Sequence, residues 1–308
     1  MRERKAVIEV GTNSVKYCLA EVSGEGAFRV LKDVNEIARL GEGLRETGRI
    51  ASGALERNVQ VVAAFAEKAR GEGAETIALM GTMALRSAAN ADDFIGRVRE
   101  RTGFSLIVLS GDEEAKLSYD AAVSGIPGAD VADLLVFDTG GGSTEFVYGR
   151  SGAIDRRFSL DVGSLRITEL YLTPTPVPPE RLNEARAAIR RELADGGVTG
   201  PVELLVGMGG NVTSLVSVKL GMAVYDRDAI QGAVLALDEV RRQVAAYASQ
   251  TMEERRRTVG LVPQRADVIL AGACIVEAIM ELCGRDRCSV SDRGIRHGMM
   301  ARLFQGRS

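Results

Sequence analysis

With 308 residues, 45% hydrophobic and 26% charged, at a net charge of −3, the chain is long enough for two domains of roughly 150 residues each. No stretch approaches the ~20 continuous apolar residues of a membrane span, and the charge gives no basic field for nucleic acid. Met1-Arg2-Glu3-Arg4-Lys5 leads straight into an apolar run and leaves no room for a signal region, so a cytoplasmic protein without membrane or nucleic-acid partners is expected. Cys18, Cys274, Cys283 and Cys288 show no Cys-x-x-Cys spacing and are expected as buried or incidental thiols. His297 is the single histidine, which excludes multi-histidine metal centres and argues against a histidine-based triad. Chemistry must then rest on carboxylates, hydroxyls, arginines and backbone amides.

In chain order, Val7-Ile8-Glu9-Val10-Gly11-Thr12-Asn13-Ser14 reads as a buried strand ending in an acid and a tight glycine turn, returning as a strand over Lys16–Val22. A strand follows at Phe28–Val34, then a helix from Ser52 as cap to about Arg70, with Leu55, Val59, Val62 and Phe65 at helical spacing. Glu75–Met80 is a strand ending at Gly81-Thr82 and feeding a short helix with Arg86. Asn90 has capping character before a helix through Arg101, and Leu106–Leu109 is a strand leading into Ser110-Gly111-Asp112-Glu113-Glu114. Alternating strands and helices predict an α/β fold with mixed sheets. Gly125-Ile126-Pro127-Gly128-Ala129 is a linker, dividing the chain into domains 1–124 and 125–308.

The opening phrase recurs past that linker. Val136-Phe137-Asp138-Thr139-Gly140-Gly141-Gly142-Ser143 repeats the apolar run, the acid, the glycine and the serine, and its return strand is Thr144–Tyr148. The chain therefore reads as a duplication. The proline-rich stretch Thr173–Pro179 predicts an extended loop whose last proline opens a helix. Leu204–Val206 is a strand, Gly207-Met208-Gly209-Gly210-Asn211 a glycine turn, and Val212 begins a helix. Arg265–Leu282 is a long apolar helix, and Gly294–Leu303 is a final helix that packs back toward the first domain.

Glycine turns expose backbone N–H groups without Cβ interference, so two of them facing one another across a cleft would hold a phosphate from both sides. Asp138 and Glu145, with Glu9 in the first copy, offer carboxylates for the accompanying divalent cation. Gly209, Gly210 and Asn211 would aim helix N-terminal amides at a phosphate or nucleotide, or simply form a strand–helix turn. Ser110 and Glu113 match a capping box; if Glu113 closes the cap, Glu114 is free to orient or deprotonate a water. Arg86 and Arg265 are candidates for phosphate oxygens or for surface ion pairs. Arg255-Arg256-Arg257 is a polyanion patch or a solvated helix face.

In this order, these motifs resemble the exopolyphosphatase and guanosine pentaphosphate phosphohydrolase family of the actin, sugar kinase and Hsp70 superfamily. Further landmarks are Gly163-Ser164-Leu165-Arg166-Ile167-Thr168-Glu169 and Ser291-Asp292-Arg293-Gly294-Ile295-Arg296. The resemblance implies two ribonuclease-H-like domains with mixed sheets flanking a central cleft, in a short form without the added helical region of longer members. It implies Glu114 as the catalytic glutamate, and Asp138 and Glu145 as acids associated with Mg2+. Arg86 and Arg265 become phosphate-binding arginines, and Thr12, Asn13, Ser14 and Gly140, Gly141, Gly142, Ser143 the phosphate clamps. Expected substrates are inorganic polyphosphate or guanosine pentaphosphate, and a homodimer is expected. A polyphosphate or alarmone sensor and an ATP-dependent kinase are the other readings. Two positions depart from the family pattern: Glu9 stands in place of aspartate, and Asn211 in place of a common threonine.

Overall fold

The computed structural model describes residues 2–12, 14–24, 27–129 and 131–305. The chain forms two compact units, Met1–Ala121 with Ile295–Ser308, and Ala122–Gly294. In the first, β1 (Arg4–Val10), β2 (Ser14–Gly24) and β3 (Ala27–Ile37) are followed by α1 (Leu44–Thr47), α2 (Ser52–Gly71), β4 (Thr76–Gly81), α3 (Met83–Ser87), α4 (Ala91–Thr102), β5 (Leu106–Val108) and α5 (Gly111–Val123). The sheet order is β3-β2-β1-β4-β5, antiparallel on the hairpin side and parallel at β1–β4 and β4–β5.

The second unit contains β6 (Asp133–Thr139), β7 (Thr144–Arg150), β8 (Ala153–Leu160), α6 (Ser164–Tyr171), α7 (Pro179–Asp195), β9 (Leu204–Met208), α8 (Gly209–Lys219), α9 (Arg227–Ile230), β10 (Val234–Ala236), α10 (Leu237–Ser249), α11 (Met252–Arg256), α12 (Ile269–Leu282) and β11 (Arg287–Ser291). Its sheet runs β10-β11-β9-β6-β7-β8. Reversed and stripped of the edge strand β10, that order is β8-β7-β6-β9-β11, the same meander and parallel extension as the first sheet. The repeated phrase occupies β1–β2 in one sheet and β6–β7 in the other. The last helix, α13 (Ile295–Gln305), belongs to the first unit.

The central strands are covered on both faces, which is why they read as continuous apolar runs. Along β1, Ala6, Ile8 and Val10 pack with Val59, Val62 and Phe94 from α2 and α4, whereas Val7 packs with Cys18, Met80, Leu117 and Met300 on the α13 side. In the second unit α12 is mostly apolar and buried from Ile269 through Met280, its one acid in that span, Glu277, being held by the Arg186 guanidinium, as befits a helix enclosed by others. No helix among the described residues is long and apolar enough to cross a membrane. All four cysteines are free and buried.

Local expectations needed five corrections, the first being that α8 begins at Gly209 rather than Val212, directly after β9 and with no intervening turn. Ser52 is the first residue of α2 rather than its cap; Ala51 holds the cap position without a side-chain bond. Asn90 does precede α4, but its amide instead brackets Ile50, accepting from its N–H at 2.8 Å and donating to its carbonyl at 3.0 Å. Arg265 lies in a short 3-10 turn, Pro263–Arg265, ahead of α12. Arg255 is 1% exposed and donates from Nε to the Tyr247 carbonyl at 2.6 Å, so the triple-arginine run is not one solvated face. Because α12 has no exposed side to accommodate a void, Ile275→Ala should cost about 3 kcal/mol, measured by chemical denaturation followed by circular dichroism.

Candidate active site

In the first unit the chain turns immediately after β1. Gly11 N–H donates to the Ser14 carbonyl at 3.0 Å, and the Thr12 carbonyl accepts from Gly41 N–H at 2.8 Å. A Cβ on Gly41 would stand 2.3 Å from Thr12 Cγ2, so this second glycine lets the neighbouring loop close against the turn. Thr12 is half-buried and Ser14 is buried; Asn13 lies outside the described residues.

Glu9, one residue before β1 ends, is 3% exposed. Its cross-strand partner is Lys16, whose ammonium donates to Oε1 at 2.7 Å. Burial pushes the Glu9 carboxyl pKa up, but Lys16, Arg296 and His297 together outweigh it and hold the group below the usual carboxylate range. The second oxygen, Oε2, is buried without a hydrogen-bond partner.

Arg86 and Glu114 meet in this unit. α3 carries Arg86 just after β4, and its Nη1 donates to the Leu109 carbonyl at 2.7 Å and to Glu114 Oε2 at 2.5 Å. The start of α5 is a complete capping box: Ser110 N–H donates to Glu113 Oε2 at 2.8 Å, and Glu113 N–H to Ser110 Oγ at 3.2 Å. Glu113 is therefore committed to the helix end, and its carboxyl is held below the usual range chiefly by the Ser110 backbone. Glu114, one position further round the helix, points elsewhere and stays partly open to solvent, its side chain 25% exposed.

The second unit repeats the turn. Gly140 N–H donates to the Ser143 carbonyl at 2.8 Å, the counterpart of the Gly11–Ser14 bond. Gly141 and Gly142 are exposed. Ser164 and Leu165, opening α6, donate their N–H groups to the Gly140 and Gly141 carbonyls at 3.0 and 2.8 Å. Asp138 and Glu145 are direct cross-strand partners, and Glu145 Oε1 accepts from the Ser143 and Ser159 hydroxyls at 2.6 and 3.0 Å.

Gly209 and Gly210 make room for side chains. A Cβ on Gly209 would stand 2.0 Å from Asp138 Oδ1, and one on Gly210 would stand 2.1 Å from Arg265 Nη2. Burial lowers the Arg265 pKa, opposed by Tyr225, Asp138 and Asp267, and the guanidinium remains cationic. Asn211, read from sequence as a phosphate contact, is 2% exposed. Its amide donates to the Thr139 carbonyl at 2.8 Å and to Ser164 Oγ at 3.2 Å. It holds the glycine turn from behind.

Sequence reasoning did not single out several residues that shape these sites. A Cβ on Gly163 would stand 2.3 Å from the Gly141 carbonyl oxygen, so that glycine lets α6 approach the turn. Lys16 could have been found, since a hairpin closed between Gly11 and Ser14 pairs Glu9 with Lys16. Asp33 accepts a two-pronged contact from Arg296, at 2.8 and 2.9 Å, and lies 3.0 Å from His297 Nε2. Cys18, Asp33 and His297 bring ligand-type atoms within 4.8 Å of one another. Arg296 already occupies both Asp33 oxygens, so these groups form a buried charge cluster rather than a cation site.

Two outcomes follow from this geometry. Gly163→Ala should force the Gly141–Gly142 turn away from α6 and cost about 1–3 kcal/mol of stability, measured by chemical denaturation. Glu9→Gln should cost about 2 kcal/mol at neutral pH, less than a fully buried pair because Lys16 is partly exposed. Since the folded Glu9 pKa is lowered, its stabilisation is complete above the unfolded value near ~4.3 and disappears as pH falls through the folded value. Denaturation curves of the variant and the parent should therefore converge in acid.

The sequence matches the Ppx/GppA phosphatase family over residues 19–306. Exopolyphosphatase 2 of Mycobacterium tuberculosis is 33% identical, with 97% of this chain and 98% of that protein covered. Exopolyphosphatase 1 of Mycobacterium leprae is 28% identical over 97% of this chain and 89% of its own length. The crystal structure of the Aquifex aeolicus Ppx/GppA family member superposes with a TM-score of 0.89 at 28% identity, covering 98% of each chain. Two α/β units with one strand order and one turn geometry, matched along nearly the full length, place this chain in the Ppx/GppA phosphatase family.

Proposed function

We propose that this protein is an exopolyphosphatase, hydrolysing the terminal phosphoanhydride bond of inorganic polyphosphate, with Glu114 as the base that orients and deprotonates the attacking water. The observation that carries the reading is the division of labour at the start of α5. The Ser110–Glu113 capping box takes up one carboxylate, and the next, Glu114, stands 2.5 Å from the Arg86 guanidinium. Full-length likeness to proteins named exopolyphosphatase supports the substrate class.

In this reading the water oxygen bonds to the terminal phosphorus, the bridging P–O bond breaks, and the water proton passes to Glu114. Orthophosphate leaves, and the shortened chain keeps the bridging oxygen. Arg86 exchanges its Glu114 contact for phosphate oxygens, which it binds bidentately. Backbone N–H groups of the glycine turns suit the charge that spreads over a transferring phosphoryl group. Gly209 and Gly210 keep Asp138 and Arg265 close to the second turn, and Asn211 acts by holding it.

Hard carboxylate and hydroxyl oxygens suit Mg2+, and Asp138 and Glu145, adjacent on paired strands with two serine hydroxyls beside them, would hold it. Bound there, the cation would neutralise negative charge on the phosphate oxygens. Glu9 is a poorer ligand, because Lys16 and Arg296 already surround it with positive charge; we assign it to the support of its turn. Four free, buried thiols suit a reducing cytoplasm.

Glu114→Gln should lower orthophosphate release from polyphosphate by roughly a hundredfold while leaving polyphosphate binding within a few-fold, the scale of a lost general base. Unchanged release would remove Glu114 from this role. Parallel assays with guanosine pentaphosphate, with and without Mg2+, decide the substrate: faster turnover of the nucleotide would replace the polyphosphate reading.

A further inference from the structure

We infer that Gly298, on the last helix of the chain, is a positioning residue for Glu114, setting the distance between α13 and α5 so that the carboxylate stands in register with its substrate. The inference rests on the reading of Glu114 as the base.

A Cβ on Gly298 would lie 2.2 Å from the Leu117 carbonyl oxygen, 2.9 Å from its carbonyl carbon and 3.0 Å from its Cα. These are backbone atoms, so no rotamer change relieves the overlap, and the two helices must move apart. Leu117 is three residues beyond Glu114 on α5, one turn along the same side of the helix. A shift of the α5 backbone at Leu117 is carried to Glu114.

α13 is anchored to the sheet of its unit. Arg296 grips both Asp33 oxygens at 2.8 and 2.9 Å, and His297 lies 3.0 Å from the same carboxylate, with both partners buried. Lys5 donates to the Leu303 carbonyl at 2.7 Å, and Phe304 stacks on Phe28 with ring centroids 5.5 Å apart. Met300 is fully buried against Val7, Cys18 and Leu117. Strain introduced at Gly298 is therefore relieved by α5, and displacement of about 1 Å at a catalytic group is enough to cost about a hundredfold.

The test is a double-mutant cycle on polyphosphate turnover. Gly298→Ala should lower kcat between about tenfold and a hundredfold, with KM within about threefold, and with an unchanged circular dichroism spectrum. In the Glu114→Gln background the same substitution should lower kcat no further, because the group it misplaces is already inactive. Full kcat in Gly298→Ala, or an equal loss in both backgrounds, overturns the inference while leaving Glu114 as the base. Full turnover in Glu114→Gln alone overturns the base assignment and the inference with it. If Gly298→Ala does not fold, Phe304→Ala loosens α13 without adding bulk. A kcat loss confined to the Glu114 background supports the inference, and an unchanged kcat overturns it.

Discussion

A glycine N–H donating to the carbonyl three residues ahead closes the chain at both acid-ended strands, Gly11 to Ser14 and Gly140 to Ser143. The bond reverses the backbone within a few residues. It also fixes the antiparallel register in which Glu9 faces Lys16 and Asp138 faces Glu145. Small residues from elsewhere, Gly41 in the first unit and Gly163 in the second, press on these turns because they lack a Cβ. The duplicated hairpin is thus one backbone solution used twice.

The two copies have diverged in charge. In the second, Asp138 and Glu145 share a strand end with hydroxyls and with Arg265, which approaches through the space left by Gly210. In the first, Glu9 is buried and paired, with Lys16, Arg296 and His297 around it. A buried carboxylate is tolerated only with such company, since its desolvation costs several kcal/mol unless opposed by close cations. Under the proposed function, the phosphate chemistry of the first unit would fall to its turn, Arg86 and Glu114, with Glu9 as internal support.

Much of this was legible in the sequence. The repeat, the alternation of strand and helix, the capping box at Ser110 and Glu113, and the glycine turns depend on local rules, and local rules survive folding. What escaped depended on contacts between distant positions. Asn211 looked like a helix-terminal ligand because nothing local says that its amide is taken by Thr139, 72 residues earlier. Arg255 looked solvated because its burial is imposed by Tyr247 on a neighbouring helix. Gly298 carries no local signal, since its contact is with a carbonyl on α5. Asn90 makes no cap because Ile50 in the flanking loop takes its amide, and Ser52 makes none because the helix already includes it.

The return of α13 to the first unit has a consequence for biosynthesis. Residues near the N-terminus leave the ribosome early, yet Asp33 meets Arg296 only after more than 260 further residues have been made. Until then one face of the first sheet, including Val7 and Cys18, lacks its cover, and the Asp33 carboxylate lacks its counter-charge. The first unit is thus begun before the second and completed after it, so its sheet gains the α13 cover only once the whole of the second unit has been made.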